Sequence, residues 1–90
     1  MSSTSQKHRN FVKEPMRGKR VTELPGVGNA IGQRLNAAGY DRAESMLGQY
    51  LHLKKDKGSF QAWMKTTSNA NSKQSSDAYQ CIKDWSEEFL

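Results

Sequence analysis

A Pro-Gly-x-Gly turn at Pro25 to Gly28 lies between two short apolar segments of this 90-residue chain. Glycine adopts positive φ and carries no Cβ, so the backbone of such a turn can approach a ligand closely. The amides that open the following helix attract anions, because they lack intrahelical acceptors and lie at the positive end of the helix dipole. The pattern is typical of a helix-hairpin-helix, predicted over residues 21–38, and a nucleic-acid phosphate is the natural ligand.

Positive charge is concentrated in the half of the chain that holds this turn. The formal net charge is +5, and residues 1–40 carry seven basic side chains against two acidic ones, whereas residues 41–90 carry seven of each. A basic surface fits a merely soluble protein as well as a protein with a polyanionic partner. Its coincidence with the turn favours nucleic acid.

The first half of the chain predicts helices and no strands, because apolar residues recur at helical spacing and nowhere alternate. We expect Ser5 to cap a first helix that ends at Glu14-Pro15, since the residue before proline avoids the helical region. Thr22 should cap a single turn before the hairpin. Gly39 should end the hairpin's second helix, and Asp41 should cap the next one.

The second half predicts further helices separated by polar stretches. The basic segment 54–58 should break the helical pattern, and a short helix should follow and end near Thr67. The polar run 68–72 should then supply a cap for a final helix. That helix carries an apolar stripe, predicted to pack on the rest of the domain or on a second subunit, at Ala78, Ile82, Trp85 and Phe89.

Few residues suggest catalysis, metal binding or a membrane. His8 and His52 are far apart and Cys81 stands alone, so we expect no metal site, cofactor or disulfide, and a buried Cys81. We also expect no enzyme, because the chain has no length for a substrate pocket beyond the hairpin scaffold. The absence of an apolar signal core and of a membrane-length apolar run predicts an intracellular protein without membrane insertion.

Stretches that carry a family resemblance run along the whole chain. They are Thr4 to Val12, Glu14 to Met16, Leu47 to Leu51, Leu53 to Asp56, Ala70-Asn71, Lys73-Gln74, Cys81, Asp84-Trp85 and Phe89-Leu90. Together they resemble the barrier-to-autointegration factor (BAF) family, with departures that suggest a divergent paralogue. The resemblance implies one all-α, SAM-like domain of five helices over residues 1–90, with residues 1–4 flexible.

The resemblance also implies a function and partners. A homodimer, or a heterodimer with a BAF paralogue, would bind double-stranded DNA without sequence preference and bridge two duplexes. It would act in chromatin in the nucleus, and also in the cytoplasm. The implied DNA contacts are Gln6, Lys7, Gly26, Val27, Gly28, Ala30, Ile31, Arg34 and Lys73. Candidate phosphorylation sites that would oppose DNA binding are Ser3, Thr4 and Ser5.

A second implied partner is the LEM domain of nuclear-envelope proteins, received in an apolar groove. The groove positions are Tyr40, Leu47, Leu51, His52 and Ser59. His52 and Ser59 are polar where the family usually has aliphatic residues, which argues against LEM-domain binding because a polar group in such a groove costs about 1–3 kcal/mol. The alternative function is therefore a protein-interaction module or heterodimer partner that modulates a main BAF protein with little DNA bridging of its own.

Overall fold

The computed structural model describes residues 5–90, so the candidate sites Ser3 and Thr4 lie outside the described part. The predicted five-helix, all-α fold is confirmed, and the single turn predicted before the hairpin is a 3-10 turn. The elements are α1 (Gln6–Val12), the 3-10 turn (Val21–Glu23), α2 (Asn29–Ala37), α3 (Ala43–His52), α4 (Lys57–Ser68) and α5 (Ser72–Phe89). Within residues 5–90 the only β-type pairing is one isolated antiparallel bridge between Arg20 and Arg42.

Helix α5 organises the core, because α1, α3 and α4 all pack against it. The predicted stripe is buried at Ala78, Ile82 and Trp85, and Cys81 on the same helix is fully buried as expected. Phe89 remains exposed and stacks on Trp85 with ring centroids 4.9 Å apart. Apolar side chains from every other element complete the core, among them Phe11, Leu24, Leu35, Met46 and Phe60.

Side-chain hydrogen bonds fix α1 on α5. Ser5 caps α1 as predicted, with its Oγ accepting from the backbone N–H of His8 at 3.1 Å. The His8 ring is almost buried, and its Nε2 lies 2.9 Å from a carboxylate oxygen of Asp84. The indole Nε1 of Trp85 donates to the carbonyl of Glu14 at 2.9 Å, just beyond the end of α1. Both ends of α1 are therefore attached to the helix that supports the rest of the fold.

Two predicted helix caps are wrong, and one backbone pairing explains both. Thr22 lies inside the 3-10 turn, which Arg20 precedes, and α3 is preceded by Arg42 instead of Asp41. The Val21 N–H donates to the Asp41 carbonyl at 3.1 Å. These two residues are the chain neighbours of Arg20 and Arg42, which form the isolated bridge. This long-range pairing holds Arg20 and Arg42 in extended backbone, so these residues precede the 3-10 turn and α3 in place of Thr22 and Asp41, whose side chains are better caps.

The polar stretches of the second half are shorter than the sequence suggests. Asp56 caps α4 by accepting from the Ser59 N–H at 2.8 Å, so the helix begins at Lys57 inside the segment expected to be irregular. At the other end, α4 runs to Ser68, which is fully buried and donates from its hydroxyl to the Met64 carbonyl at 2.7 Å. Asn71 then caps α5, as the sequence predicts.

Candidate nucleic-acid interface

The hairpin turn has one conformation that only glycine fits, at Gly26. Its φ is +81°, and a Cβ built there would overlap the carbonyl oxygen of Gln74 in the first turn of α5. The neighbouring side chains Leu24 and Val27 are buried, and the Val27 N–H donates to the Leu24 carbonyl at 3.1 Å. The turn is therefore fixed by two contacts: its apolar side chains pack in the core, and its Gly26 packs against α5.

Gly28 serves a different purpose from the one its position in the motif suggests. Its backbone is extended, with φ −88° and ψ −168°, and a Cβ built on it would meet open space. It precedes α2, and no side chain caps that helix. Gly28 thus leaves the N-terminus of α2 uncovered rather than supplying a left-handed conformation.

The uncovered amides of α2 form the candidate phosphate site. The first backbone hydrogen bond of the helix runs from the Gly32 N–H to the Gly28 carbonyl at 2.8 Å. The amides of Asn29, Ala30 and Ile31 precede it and have no acceptor within the helix. They lie together at the positive end of the helix dipole, where an anionic oxygen is stabilised.

Close packing of the two arms keeps the hairpin rigid. A Cβ built on Gly32 would lie 2.5 Å from the Thr22 Cγ2, so the 3-10 turn and α2 are in contact at this glycine. A small residue at position 32 is therefore needed where the two arms cross. The amides of α2 are thus held in fixed positions before any ligand arrives, which lowers the entropic cost of binding.

Helix α1 brings polar side chains to the same region. The Lys7 Nζ donates to the Val27 carbonyl at 3.3 Å, which fixes this cation beside the turn. Gln6 is exposed, and its side chain donates to Asn10 at 2.7 Å and accepts from Arg9 at 2.9 Å. Both predicted α1 contacts therefore lie at the solvent-facing start of α1, with Lys7 next to the hairpin.

Two further predicted cations, Lys73 and Arg34, differ in the contacts that they make within the fold. The Lys73 side chain is 82% exposed, and among residues 5–90 it pairs only with Asp77, one helical turn along α5, at 3.1 Å. Arg34 is also exposed, but its guanidinium donates to the Ser68 carbonyl at the C-terminus of α4, at 3.1 Å. Lys73 is free to meet a phosphate, whereas Arg34 also stabilises the junction between α2 and α4.

The hairpin and the starts of α1 and α5 meet around one cleft of about 230 Å³. Ser5 from the cap of α1, Pro25 from the turn and Lys73 from the first turn of α5 all line it. The N-termini of α1 and α5 therefore lie beside the hairpin, and each contributes a positive dipole end. This convergence links residues that are nearly seventy positions apart in the sequence.

The geometry narrows the predicted list of contacts. Val27 and Ile31 have buried side chains, so only their backbone could reach a ligand, and the Val27 amide is already used inside the turn. Ala30 is exposed and offers its amide. Sequence reasoning missed Asn29, which supplies the first free amide of α2; its position directly after the second glycine was the available signal.

The predicted partner positions differ in how far they are exposed. Tyr40 packs edge-on against Trp63 with centroids 4.8 Å apart, and Leu47 is half-buried against the core. The other three, Leu51, His52 and Ser59, are exposed.

The cysteine and the acidic side chains of α5 contribute to the fold. Burial raises the pKa of the Cys81 thiol to about 12, which leaves it protonated and unreactive. Asp84 pairs with His8, and Glu87 pairs with Lys83 at 2.8 Å. Among residues 5–90, no three His, Cys, Asp or Glu side chains come together as metal ligands would, and none of the helices is long and apolar enough to cross a bilayer.

Comparison with known proteins gives a consistent result along the whole chain. A family model described as "Barrier to autointegration factor" matches residues 2–89. The barrier-to-autointegration factor of Drosophila melanogaster is 61% identical over 90 residues, covering 100% of both chains. Barrier-to-autointegration factor A of Xenopus laevis is 54% identical with the same coverage. The human barrier-to-autointegration factor is 49% identical over 88 residues, 98% of this chain and 99% of its own length.

Proposed function

The chain belongs to the barrier-to-autointegration factor family, and on that premise we propose that it binds double-stranded DNA without sequence preference and bridges two duplexes as a dimer. The family is one of non-enzymatic DNA-binding proteins, so the prediction of a non-enzymatic protein is confirmed. The observation that carries the proposal is the row of free amides on α2, left open by Gly28.

Recognition through the phosphate backbone accounts for the absence of sequence preference. Backbone amides and lysines contact phosphate oxygens, which are the same at every base pair. The amides of α2 are held by a rigid turn, and Lys7 and Lys73 lie around them. The predicted contacts are mostly backbone amides and lysines, so we attribute the affinity to charge and position.

Dimerisation supplies the second DNA site, because each chain has one hairpin. Support comes from three apolar side chains that are exposed outside the hairpin: Leu51 is 43% exposed, Phe89 38% and Leu90 73%. Burying such side chains favours association. The pairing is with a second copy or with a BAF paralogue.

A place in chromatin within the nucleus, with a further cytoplasmic pool, belongs to the same proposal. We place the chain there as a divergent paralogue whose nuclear-envelope contacts are weakened. The exposed polar side chains of His52 and Ser59 support weakened LEM-domain binding. A pull-down with a LEM domain tests this: affinity restored by His52→Leu with Ser59→Leu supports it, and full affinity of the unmodified chain contradicts it.

The decisive experiment joins mass measurement to a bridging assay. Light scattering gives the oligomeric state, and two duplexes with different fluorophores report bridging. Gly26→Glu would remove binding but also disturb the turn, so Gly28→Glu is the sharper variant because a side chain there meets open space. Loss of bridging by a dimeric Gly28→Glu variant supports the proposal. A dimeric unmodified chain that binds no DNA favours the interaction module instead.

A further inference from the structure

Three cations between α1 and the hairpin have no partner within residues 5–90. They are the exposed side chains of Lys13, Arg17 and Arg20. Other basic side chains in this half are engaged: Lys7 with the Val27 carbonyl and Arg34 with the Ser68 carbonyl. Exposed basic side chains without an acidic partner are available to meet an anion.

The segment that carries these three cations is held in a defined shape. Met16 is buried in the core, and the Lys19 N–H donates to the Met16 carbonyl at 3.1 Å, closing a turn in which Gly18 has φ +76°. The Lys19 side chain is only 13% exposed, pairs with Glu14 at 3.1 Å and lies over the Phe11 ring at 4.8 Å. The segment is therefore not a loose basic tail.

The bridge to α3 fixes the far end of the same segment. The Ala43 N–H donates to the Lys19 carbonyl at 3.0 Å, and the Arg42 guanidinium donates to the Gly18 carbonyl at 3.4 Å. Arg20 forms the isolated bridge with Arg42. Backbone positions on both sides of Arg17 are thus tied to the core or to α3.

Two clefts place Lys13 and Arg20 on either side of the 3-10 turn. A cleft of about 540 Å³ between α1 and the 3-10 turn is lined by both Lys7 and Lys13. A second cleft, of about 160 Å³, lies between the 3-10 turn and α2 and is lined by Arg20 and Asn29. Thr22 lines both clefts, so the 3-10 turn is the ridge between them.

We infer that Lys13, Arg17 and Arg20 form a second phosphate-contacting surface that extends the DNA footprint of the hairpin along α1, an inference that rests on the proposed function. Lys7 joins the two surfaces because it contacts the hairpin turn and lines the larger cleft. Glu14 and Glu23 also line that cleft, but Lys19 pairs with Glu14, and Glu23 accepts from the Arg20 N–H at 3.0 Å.

The spacing suits one strand of a duplex. Lys7 and Lys13 are six residues apart along α1 and its cap, which corresponds to about 9 Å along a helix axis. One strand advances about 3.4 Å per phosphate, so this length covers two to three phosphates. A strand that runs along α1 can therefore place neighbouring phosphates at Lys7 and Lys13.

The salt dependence of DNA binding tests the inference, with a control of equal charge. The test variant combines Lys13→Gln, Arg17→Gln and Arg20→Gln. The control combines Lys54→Gln, Lys55→Gln and Lys57→Gln, three exposed lysines around the α3–α4 connection that line neither hairpin cleft. Each single variant of the first set is also measured, and thermal unfolding confirms the fold.

The expected result is a shallower slope of log affinity against log salt for the test variant only. Each lost phosphate contact reduces the slope by about 0.9, so the loss is about 1 to 3 in total, against less than one for the control. Equal slopes for the two triple variants overturn the inference while leaving the proposed function intact; an acidic protein partner for this surface would give that result. Absence of DNA binding by the unmodified chain overturns both.

Discussion

Gly26 faces the backbone carbonyl of Gln74 at a separation that leaves no room for a Cβ atom. The hairpin turn and the first turn of α5 therefore touch backbone to backbone. This contact joins the phosphate site on α2 to the helix that carries Lys73. Only glycine, which has a hydrogen atom in place of Cβ, allows that contact at position 26.

Gly26→Ala should lower the free energy of unfolding by about 2–6 kcal/mol. Left-handed backbone at a non-glycine residue costs about 1–3 kcal/mol, and the overlap with Gln74 adds a packing cost of about 1–3 kcal/mol. Urea unfolding measures the difference. Gly39→Ala is the matched control: φ there is +97° but a Cβ would meet nothing within 4 Å, so only the first cost applies. Equal losses at the two positions would contradict the packing argument.

Gly28→Asp should separate DNA binding from stability. The residue directly precedes α2, where an aspartate caps free amides, so stability should stay level or rise by a few tenths of a kcal/mol over glycine. The same carboxylate occupies and repels the phosphate position, and affinity for a duplex should fall at least about tenfold, which is about 1.4 kcal/mol. Thermal unfolding and a DNA titration measure both. A variant that binds DNA normally would exclude α2 as the phosphate site.

The turn and the helices were predictable because they depend on local sequence. Pro25, the two glycines and the apolar spacing predict the hairpin, and Ser5 predicts the start of α1. The caps at Thr22 and Asp41 were wrong because a long-range backbone pairing outweighs local capping. The same limit applies to the site: motif spacing does not show that Gly28 is extended, or that Arg34 is already bonded to the end of α4.

Lys73→Gln and Arg34→Gln should differ in their effect on stability. Lys73 takes part only in an exposed pair with Asp77, so the free energy of unfolding should change by less than about 0.5 kcal/mol. Arg34 supports the last turn of α4, and its loss should cost about 1 kcal/mol.

Both variants should reduce the salt slope of DNA binding by about 0.9, as expected when one phosphate contact is lost. Calorimetric unfolding and fluorescence titrations over a salt series give the two quantities for each variant. If the slope for Arg34→Gln equals that of the unmodified chain, the role of Arg34 is confined to the α2–α4 junction.

Cys81 should make the protein less stable as the pH rises above about 9. Burial raises the pKa of the folded thiol to about 12, whereas an unfolded thiol has a pKa of about 8.5. Between these values the unfolded chain loses the proton and the folded chain keeps it. The Cys81 contribution is therefore constant below about pH 8.5 and falls by up to about 1.4 kcal/mol per pH unit as the pH rises towards 12.

Urea unfolding of Cys81→Ala across the same pH range isolates that contribution. The variant should be less stable at pH 7 because it leaves a small cavity, and its deficit should shrink at high pH because it has no thiol to ionise. The difference between the two proteins cancels the titration of the lysines and tyrosines. A deficit that stays constant from pH 7 to pH 11 would contradict the raised pKa.

Ser5→Asp should weaken DNA binding more than Ser5→Asn, which tests phosphorylation of Ser5 as a negative switch. Aspartate and asparagine cap a helix about equally well, so α1 and the overall stability should be the same in both variants. Only the aspartate adds a negative charge, and it does so in the cleft shared with Lys73.

Affinity measured at low salt should be several-fold lower for Ser5→Asp, and the gap should close as salt screens the charge. A phosphate carries about −1.5 to −2 charges, so phosphorylation should have the larger effect. Equal affinities of the two variants at low salt would show that negative charge at position 5 does not regulate this surface.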